Sequence, residues 1–367
     1  LKNRYIVFLI LSLSLSSVMA KGNFIDSLLA RTTFGSTWYL MPQVSYSPET
    51  SLGLGAAGGF YFPTGDKRRV SNVTFGVIYT LRNQVNAYVA PKFYVGQDKR
   101  TYLNSSVSYR YYPYTYYTPG NSDDGFRLSY VMNQFKVDFQ PHHEFPNNWI
   151  AGCQVLFCYT ENKVSAAKSA VQDSVLIVDG AVGWGKHFQA AIGLQGAYDS
   201  RDNRFWTSKG VFVKTTLTQH LGSISKYSYG KATFDYRHYF PTWRGQVICW
   251  QVYGDASWGD VPFYDRCTLG GEDRLRGIKR NLFTGDFSWT AQLEYRIPLF
   301  WRLKLHVFVA AGDVYDYGNV KTDKVKFSYG AGLRARLNDS QMHLRVDVAK
   351  GNYNRVPEFY LTVSEAF

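Results

Sequence analysis

The chain has 367 residues, a formal net charge of +13 and aromatic residues at 17% of its length, including 29 Tyr, with 32 Gly and only 12 Pro. Beyond its first twenty positions there is no run of about 18 apolar residues, which excludes helical membrane spans. The four cysteines, Cys153, Cys158, Cys249 and Cys267, form no metal-like cluster. A basic, Tyr- and Gly-rich chain of this kind fits a transmembrane β-barrel, whose hydropathy is hidden by alternation; a secreted all-β sandwich or solenoid is the rival.

At the N-terminus Lys2 and Arg4 precede an apolar run over 5–15, and Val18-Met19-Ala20 offers a small residue at a cut. This reads as a Sec-type signal peptide over 1–20, cleaved after Ala20, which would lower the net charge to +11. Residues 21–36 then form a short periplasmic segment with no room for a periplasmic domain of ordinary size. The barrel is expected over 37–367. A basic balance in an exported protein points to anionic lipid headgroups or an anionic pore lining more than to nucleic acid; outer-membrane lipids, lipopolysaccharide included, are the expected surroundings.

Segments of strand character recur about every 20 residues: 37–46, 51–62, 70–81, 85–95, 100–112, 126–139, 149–161, 175–185, 188–199, 210–221, 227–240, 244–257, 286–298, 302–315, 325–337, 341–350 and 358–367. Cys153 and Cys158, five apart on one of these, face opposite sides and cannot bridge each other, whereas a Cys249–Cys267 bond stays open. His142 and His143 lie in a polar stretch that reads as a connecting loop and not a metal site. The alternation is clearest late in the chain. Positions 303, 305, 307 and 309 are apolar while 302, 304 and 306 are basic or His, and Thr290, Gln292, Glu294 and Arg296 share a face opposite Ala291, Leu293, Tyr295 and Ile297. The polar faces carry Arg296, Arg302, Lys304, Lys326, Arg334, Arg336 and Arg345, a basic set that a polar lumen accommodates.

Seventeen segments conflict with the even strand number of a single-chain bacterial barrel. Five follow the long connection between 257 and 286, so if that loop is outside and the chain ends inside, an odd number must precede it, and twelve do. Sixteen antiparallel strands are therefore expected, with the surplus at 37–46 or within 175–199. The last segment ends on an aromatic and aligns Phe359, Leu361, Val363 and Phe367 on one face, interrupted by Glu365; it looks like the C-terminal signal by which barrel proteins are recognised for insertion.

Residues 199–315 resemble the barrel of the BamA/TamA family (the bacterial surface antigen superfamily), outer-membrane proteins that insert other β-barrels or translocate chains. Asp199, Arg201, Asp202, Asn203 and Gly210 follow the family's periplasmic turn D-x-R-D-N…P-x-x-G, with Thr207 where Pro is usual. The order and spacing of 259–263, of Leu269-Gly270-Gly271, of Leu275-Arg276-Gly277, of 293–298 and of 308–312 also match. The resemblance implies that the long extracellular loop folds back into the lumen, where its Arg-Gly tip, Arg276 and Gly277, docks on the inner wall against Glu294. A guanidinium suits this role because its fork binds carboxylates bidentately and keeps its charge. Two departures stand out: Ile278 replaces the aromatic after Arg-Gly, so ring stacking at the tip is lost, and the family's second wall carboxylate is here Ala310, with Asp313 on the wrong parity to replace it. Arg276 is expected to rest on Glu294 alone, with the loop held less firmly.

Neither a G-x-S-x-G motif, nor His/Glu metal spacing, nor a nucleophile–base pair is present, so no enzyme and no cofactor is expected. The function implied is outer-membrane protein assembly, insertion or translocation by a barrel without substrate-receiving POTRA domains, working with other outer-membrane or periplasmic assembly proteins. An anion-preferring channel and an accessory subunit of a larger outer-membrane complex are the alternatives.

Overall fold

Period-two alternation gives each strand one polar and one apolar face, and a barrel differs from a sandwich in which face is turned inward. The computed structural model describes residues 38–62, 70–121, 127–165, 181–203, 206–300, 302–318, 320, 324–336 and 343–362. The first eleven strands are β1 (Trp38–Ser47), β2 (Ser51–Phe62), β3 (Ser71–Thr80), β4 (Val85–Val95), β5 (Thr101–Tyr117), β6 (Arg127–Glu144), β7 (Trp149–Val164), β8 (Gly185–Asp199), β9 (Gly210–His220), β10 (Tyr229–Pro241) and β11 (Val247–Gly259). Two short strands, β12 (Cys267–Thr268) and β13 (Thr284–Gly285), form a separate ribbon within the long loop. Then come β14 (Phe287–Pro298), β15 (Leu303–Tyr315), β16 (Lys326–Arg336), β17 (His343–Gly351) and β18 (Glu358–Thr362). All but β12 and β13 pair antiparallel, neighbour to neighbour, in one closed barrel of sixteen strands, with β1 meeting β18.

The apolar faces point outward. Val309, Phe327 and Tyr329 are 53%, 57% and 60% exposed, while His306, Arg334, Arg345 and Asp347 on the opposite parity are fully buried. A sandwich would bury the first set and solvate the second, so this pattern removes the rival fold.

Two open points are settled and one expectation changes. The surplus strand lies in 175–199: residues 181–184 form a turn, the single strand β8 covers the rest, and 175–180 lie outside the described residues, while 38–47 is a barrel strand. The stretch containing His142 and His143 is not a loop but the end of β6. It stays in the sheet because the β6–β7 ladder skips Gln140 and Pro141, from Phe139↔Val155 to His142↔Gly152, while Pro141 still faces Leu103 of β5. His142 bonds the Gln140 carbonyl at 2.8 Å and Gln195 at 3.0 Å, and His143 bonds Thr101 at 2.8 Å. Finally, no disulfide joins Cys249 and Cys267: Cys249 donates to the Glu294 carbonyl and Cys267 to that of Asp286. Cys153 is exposed and Cys158 buried, as their parity requires.

The outward set also sets the cost of a charge on that face. Val309→Arg should destabilise the barrel by about 2–4 kcal/mol relative to Val309→Ala, measured by urea unfolding in lipid vesicles. An equal cost in both variants would place this face out of contact with lipid.

Candidate functional site: an arginine clamp in the lumen

The long loop leaves β11 at the loop rim and turns into the lumen as a hairpin. Cys267↔Gly285 and Thr268↔Thr284 pair, Leu269 donates to the Phe283 carbonyl at 3.1 Å, and Gly271 to that of Ile278 at 2.9 Å. Its apolar side chains Leu269, Leu275, Ile278, Leu282 and Phe283 pack against Ala310 and Val314 of β15, forming a buried cluster. The loop motif Leu269-Gly270-Gly271…Leu275 thus lies against the inner wall, and Ala310, where a carboxylate was expected to be missing, contributes an apolar contact.

At the tip Arg276 is fully buried, with its fork shared between two strands. Nη2 donates to Glu294 Oε2 on β14 at 3.0 Å, and Nη1 to Asp347 Oδ2 on β17 at 2.8 Å. Arg276 therefore does not rest on Glu294 alone, because Asp347 supplies the second carboxylate. Ring stacking is not lost either, because the guanidinium carbon lies 3.4 Å from the ring centroid of Phe308 on β15. Asp313 pairs instead with Lys326 at 2.8 Å. The remaining carboxylate oxygens are also engaged: Glu294 Oε1 accepts from Arg296 Nε at 2.7 Å and Arg334 Nη2 at 2.6 Å, and Asp347 Oδ1 bonds His306 Nε2 at 2.7 Å. Arg345 Nε sits 3.1 Å from Asp347 Oδ2. Four guanidiniums surround two carboxylates, so each carboxylate compensates more than one buried charge.

Gly277 extends the contact to the closing strand. Its N–H donates to the Tyr360 hydroxyl on β18 at 3.0 Å, and its carbonyl accepts from Asn354. A side chain here is impossible on two counts: φ is +88°, and a Cβ would lie 2.8 Å from the backbone nitrogen of Gly351. Ile278, in the place of the aromatic, packs beside Gly351.

At the opposite rim the turn after β8 is organised by its acids. Asp199 takes a two-pronged bond from Arg201 at 2.8 and 3.0 Å, and the Arg201 guanidinium lies over the Phe212 ring. Asp202 Oδ1 accepts from the backbone N–H groups of Asn203, Ser208 and Lys209, and Oδ2 from the Ser208 hydroxyl. Burial would raise the Asp202 carboxyl, but these four donors outweigh it and hold it below its ordinary value. Thr207, in the usual place of Pro, donates its hydroxyl to the Asn203 carbonyl at 2.7 Å. At Gly210 a Cβ would meet the Ser200 carbonyl oxygen at 2.4 Å. Beyond the turn Trp206 reaches Lys304 of β15, whose Nζ is 4.0 Å from the ring centroid, so the segment spans the mouth of the barrel.

Of the C-terminal set, Phe359 packs on Tyr46 with ring centroids 5.5 Å apart and Leu361 faces Tyr46 in register across the closure; Val363 and Phe367 lie outside the described residues. Sequence reasoning missed Asp347, Phe308 and Tyr360. Each carried a signal, being an acid or a ring on the polar parity of its strand.

Removing either end of the clamp leaves buried charge uncompensated. Arg276→Ala and Glu294→Ala should each cost about 3–5 kcal/mol, with a double mutant costing less than their sum, read from urea midpoints and from the loss of the fast-migrating band on unheated gels. Wild-type heat-modifiability in both would refute the clamp. At the turn Asp202→Asn should cost about 1 kcal/mol near neutrality, a small value because the site is solvent-screened. A carboxyl held below its unfolded value stabilises above the ordinary carboxylate range and loses that contribution as pH falls through the lower, folded value, so acid unfolding curves of wild type and variant should converge there.

A family model described as the Omp85 superfamily domain matches residues 52–367. Among solved structures the chain is similar to BamA from Haemophilus ducreyi lacking POTRA domains 1–3, at 14% identity and a TM-score of 0.64, covering 89% of this chain and 70% of that one. It is also similar to CdiB from Acinetobacter baumannii (12% identity, TM-score 0.55, 89% of this chain and 59% of that) and to CdiB from Escherichia coli (12%, 0.58, 88% and 62%). At these identities the likenesses concern the fold. No curated protein matches the chain.

Proposed function

The chain belongs to the Omp85 superfamily, and from that premise we propose that it acts in the bacterial outer membrane in the assembly, insertion or translocation of other proteins. One observation supports this most: the lumen is occupied by the chain's own loop, held by Arg276 on two strands and by Gly277 on a third. A loop held in this way narrows the bore, and for insertion the closure between β1 and β18 is the working edge. The two strands meet in antiparallel register at Tyr46↔Leu361. Pairing of an incoming strand with such an edge is β-augmentation, in which main-chain bonds supply affinity for any sequence in extended form. The same occupied lumen weighs against an open anion channel as the resting state.

In this reading the long loop is extracellular and the Asp199–Gly210 turn periplasmic. Lipopolysaccharide and other lipids surround the barrel, and an assembly protein of the outer membrane or periplasm delivers the client.

Depletion followed by outer-membrane proteomics tests the proposal. Many barrel proteins should fall together, and a wild-type copy should restore them. A copy carrying Tyr46→Cys and Leu361→Cys in a Cys153→Ser background should restore them only under reducing conditions. Loss of one partner complex alone would indicate an accessory role, and an unchanged membrane would sink both.

A further inference from the structure

The loop does not fill the whole bore. Between it and the wall formed by β5 to β9 lies a chamber of about 250 Å³, lined by residues from β5, β6, β7, β8 and β9 and by Tyr264, Asp265, Arg280 and Asn281 of the loop. Tyr130 lines this chamber and also belongs to a ring cluster with Tyr116, Trp184 and Phe263, in which Phe263 lies 4.5 Å from Trp184, 5.1 Å from Tyr116 and 5.2 Å from Tyr130. These rings roof the chamber toward the loop rim.

The polar groups facing the chamber are mostly donors. Arg110 makes no ion pair with any described residue. Lys136 is 3.9 Å from Asp138, whose oxygens already accept from Gln154 at 2.8 and 3.0 Å and from Gln140 at 3.0 Å. Arg280 makes a half-exposed contact with Asp273 at 3.3 Å and its backbone N–H donates to Glu49 at 3.0 Å, with Glu272 also near; Glu49, Glu272 and Asp273 are not in the chamber lining. The one carboxylate in the lining, Asp265, is occupied by Lys231 at 2.8 Å and Tyr229 at 2.7 Å. Two further side chains, both more than nine-tenths buried, have nitrogens without a hydrogen-bond partner: Gln189 Nε2 and His220 Nδ1. A buried amide donor without an acceptor costs about 1–3 kcal/mol, so a native chain retains one where something else accepts.

Three cations, an amide donor and an imidazole around a space with no free carboxylate call for a compact, acceptor-rich anion. We propose that this chamber binds a small phosphate-bearing ligand, with Arg110, Lys136 and Arg280 on its oxygens and Gln189 completing the shell. Phosphate presents several acceptor oxygens and no obligatory donor, which matches the lining, and guanidinium–phosphate pairing gives directional bonds. The site is separate from the Arg276 clamp and independent of the assembly reading.

Isothermal titration of the purified full chain in a non-ionic detergent, at fixed ionic strength, tests this with three probes: inorganic phosphate, a sugar phosphate and a short-chain phosphatidic acid. Saturable 1:1 binding is expected for at least one; preference for the first two marks a soluble ligand, preference for the third a lipid headgroup. Arg110→Gln with Lys136→Gln should weaken binding at least tenfold while the unheated gel band stays wild-type. Gln189→Leu, which changes no charge, should weaken it several-fold, and Lys163→Ala on the outer surface should leave it unchanged. Absence of saturable binding by all three probes, equal affinity in the chamber variants, or an equal loss in Lys163→Ala would overturn the proposal.

Discussion

The structure depends on one constraint: a guanidinium carried into the middle of the barrel must find its compensation on the wall. Taking Arg276 out of water costs several kcal/mol, and the wall compensates it only by presenting two carboxylates from strands that are not neighbours. β14 and β17 are separated by β15 and β16, so the Arg276 fork spans four strands, with Phe308 beneath it. The register of this part of the barrel is thereby tied to the position of the loop. A slip of one residue in β14 or β17 would turn Glu294 or Asp347 outward and leave the arginines unpaired.

Around this constraint the lumen divides into unlike halves. On the β14–β18 side the loop is packed by apolar side chains and ionic contacts, and Ala310 and Gly312 leave room for Leu269. On the β5–β9 side the wall is more open, with cations that no loop carboxylate fully engages. The basic surplus visible in the composition is thus of two kinds, one neutralised within the fold and one facing free space.

Alternation made the strands legible because lipid outside and polar lumen inside impose opposite chemistries at adjacent positions. It failed where both faces of a segment tolerate polarity or rings, as in Tyr111–Tyr117 and Gln140–Glu144, where the strands run on past prolines. Glu294 could be named as a partner for Arg276 because the sequence resemblance and strand parity agreed. Asp347 could not, because nothing local states which strand faces the loop tip across the bore. That information resides in the registers of three successive strand pairs. The substitution of Ile278 for an aromatic was visible, but its compensation by Phe308 required knowing the depth at which Arg276 stops.

The contact between Gly277 and Tyr360 joins residues 83 positions apart, and that between Arg276 and Asp347 joins residues 71 apart. Contacts of such separation come late in folding, since the intervening chain must first be ordered. The loop tip can settle only after β17 and β18 are in place, and until then the arginines of the wall lack part of their compensation. A truncated or stalled chain would carry this imbalance as an electrostatic mark of incompleteness, so the clamp that stabilises the finished barrel also distinguishes it from every unfinished one.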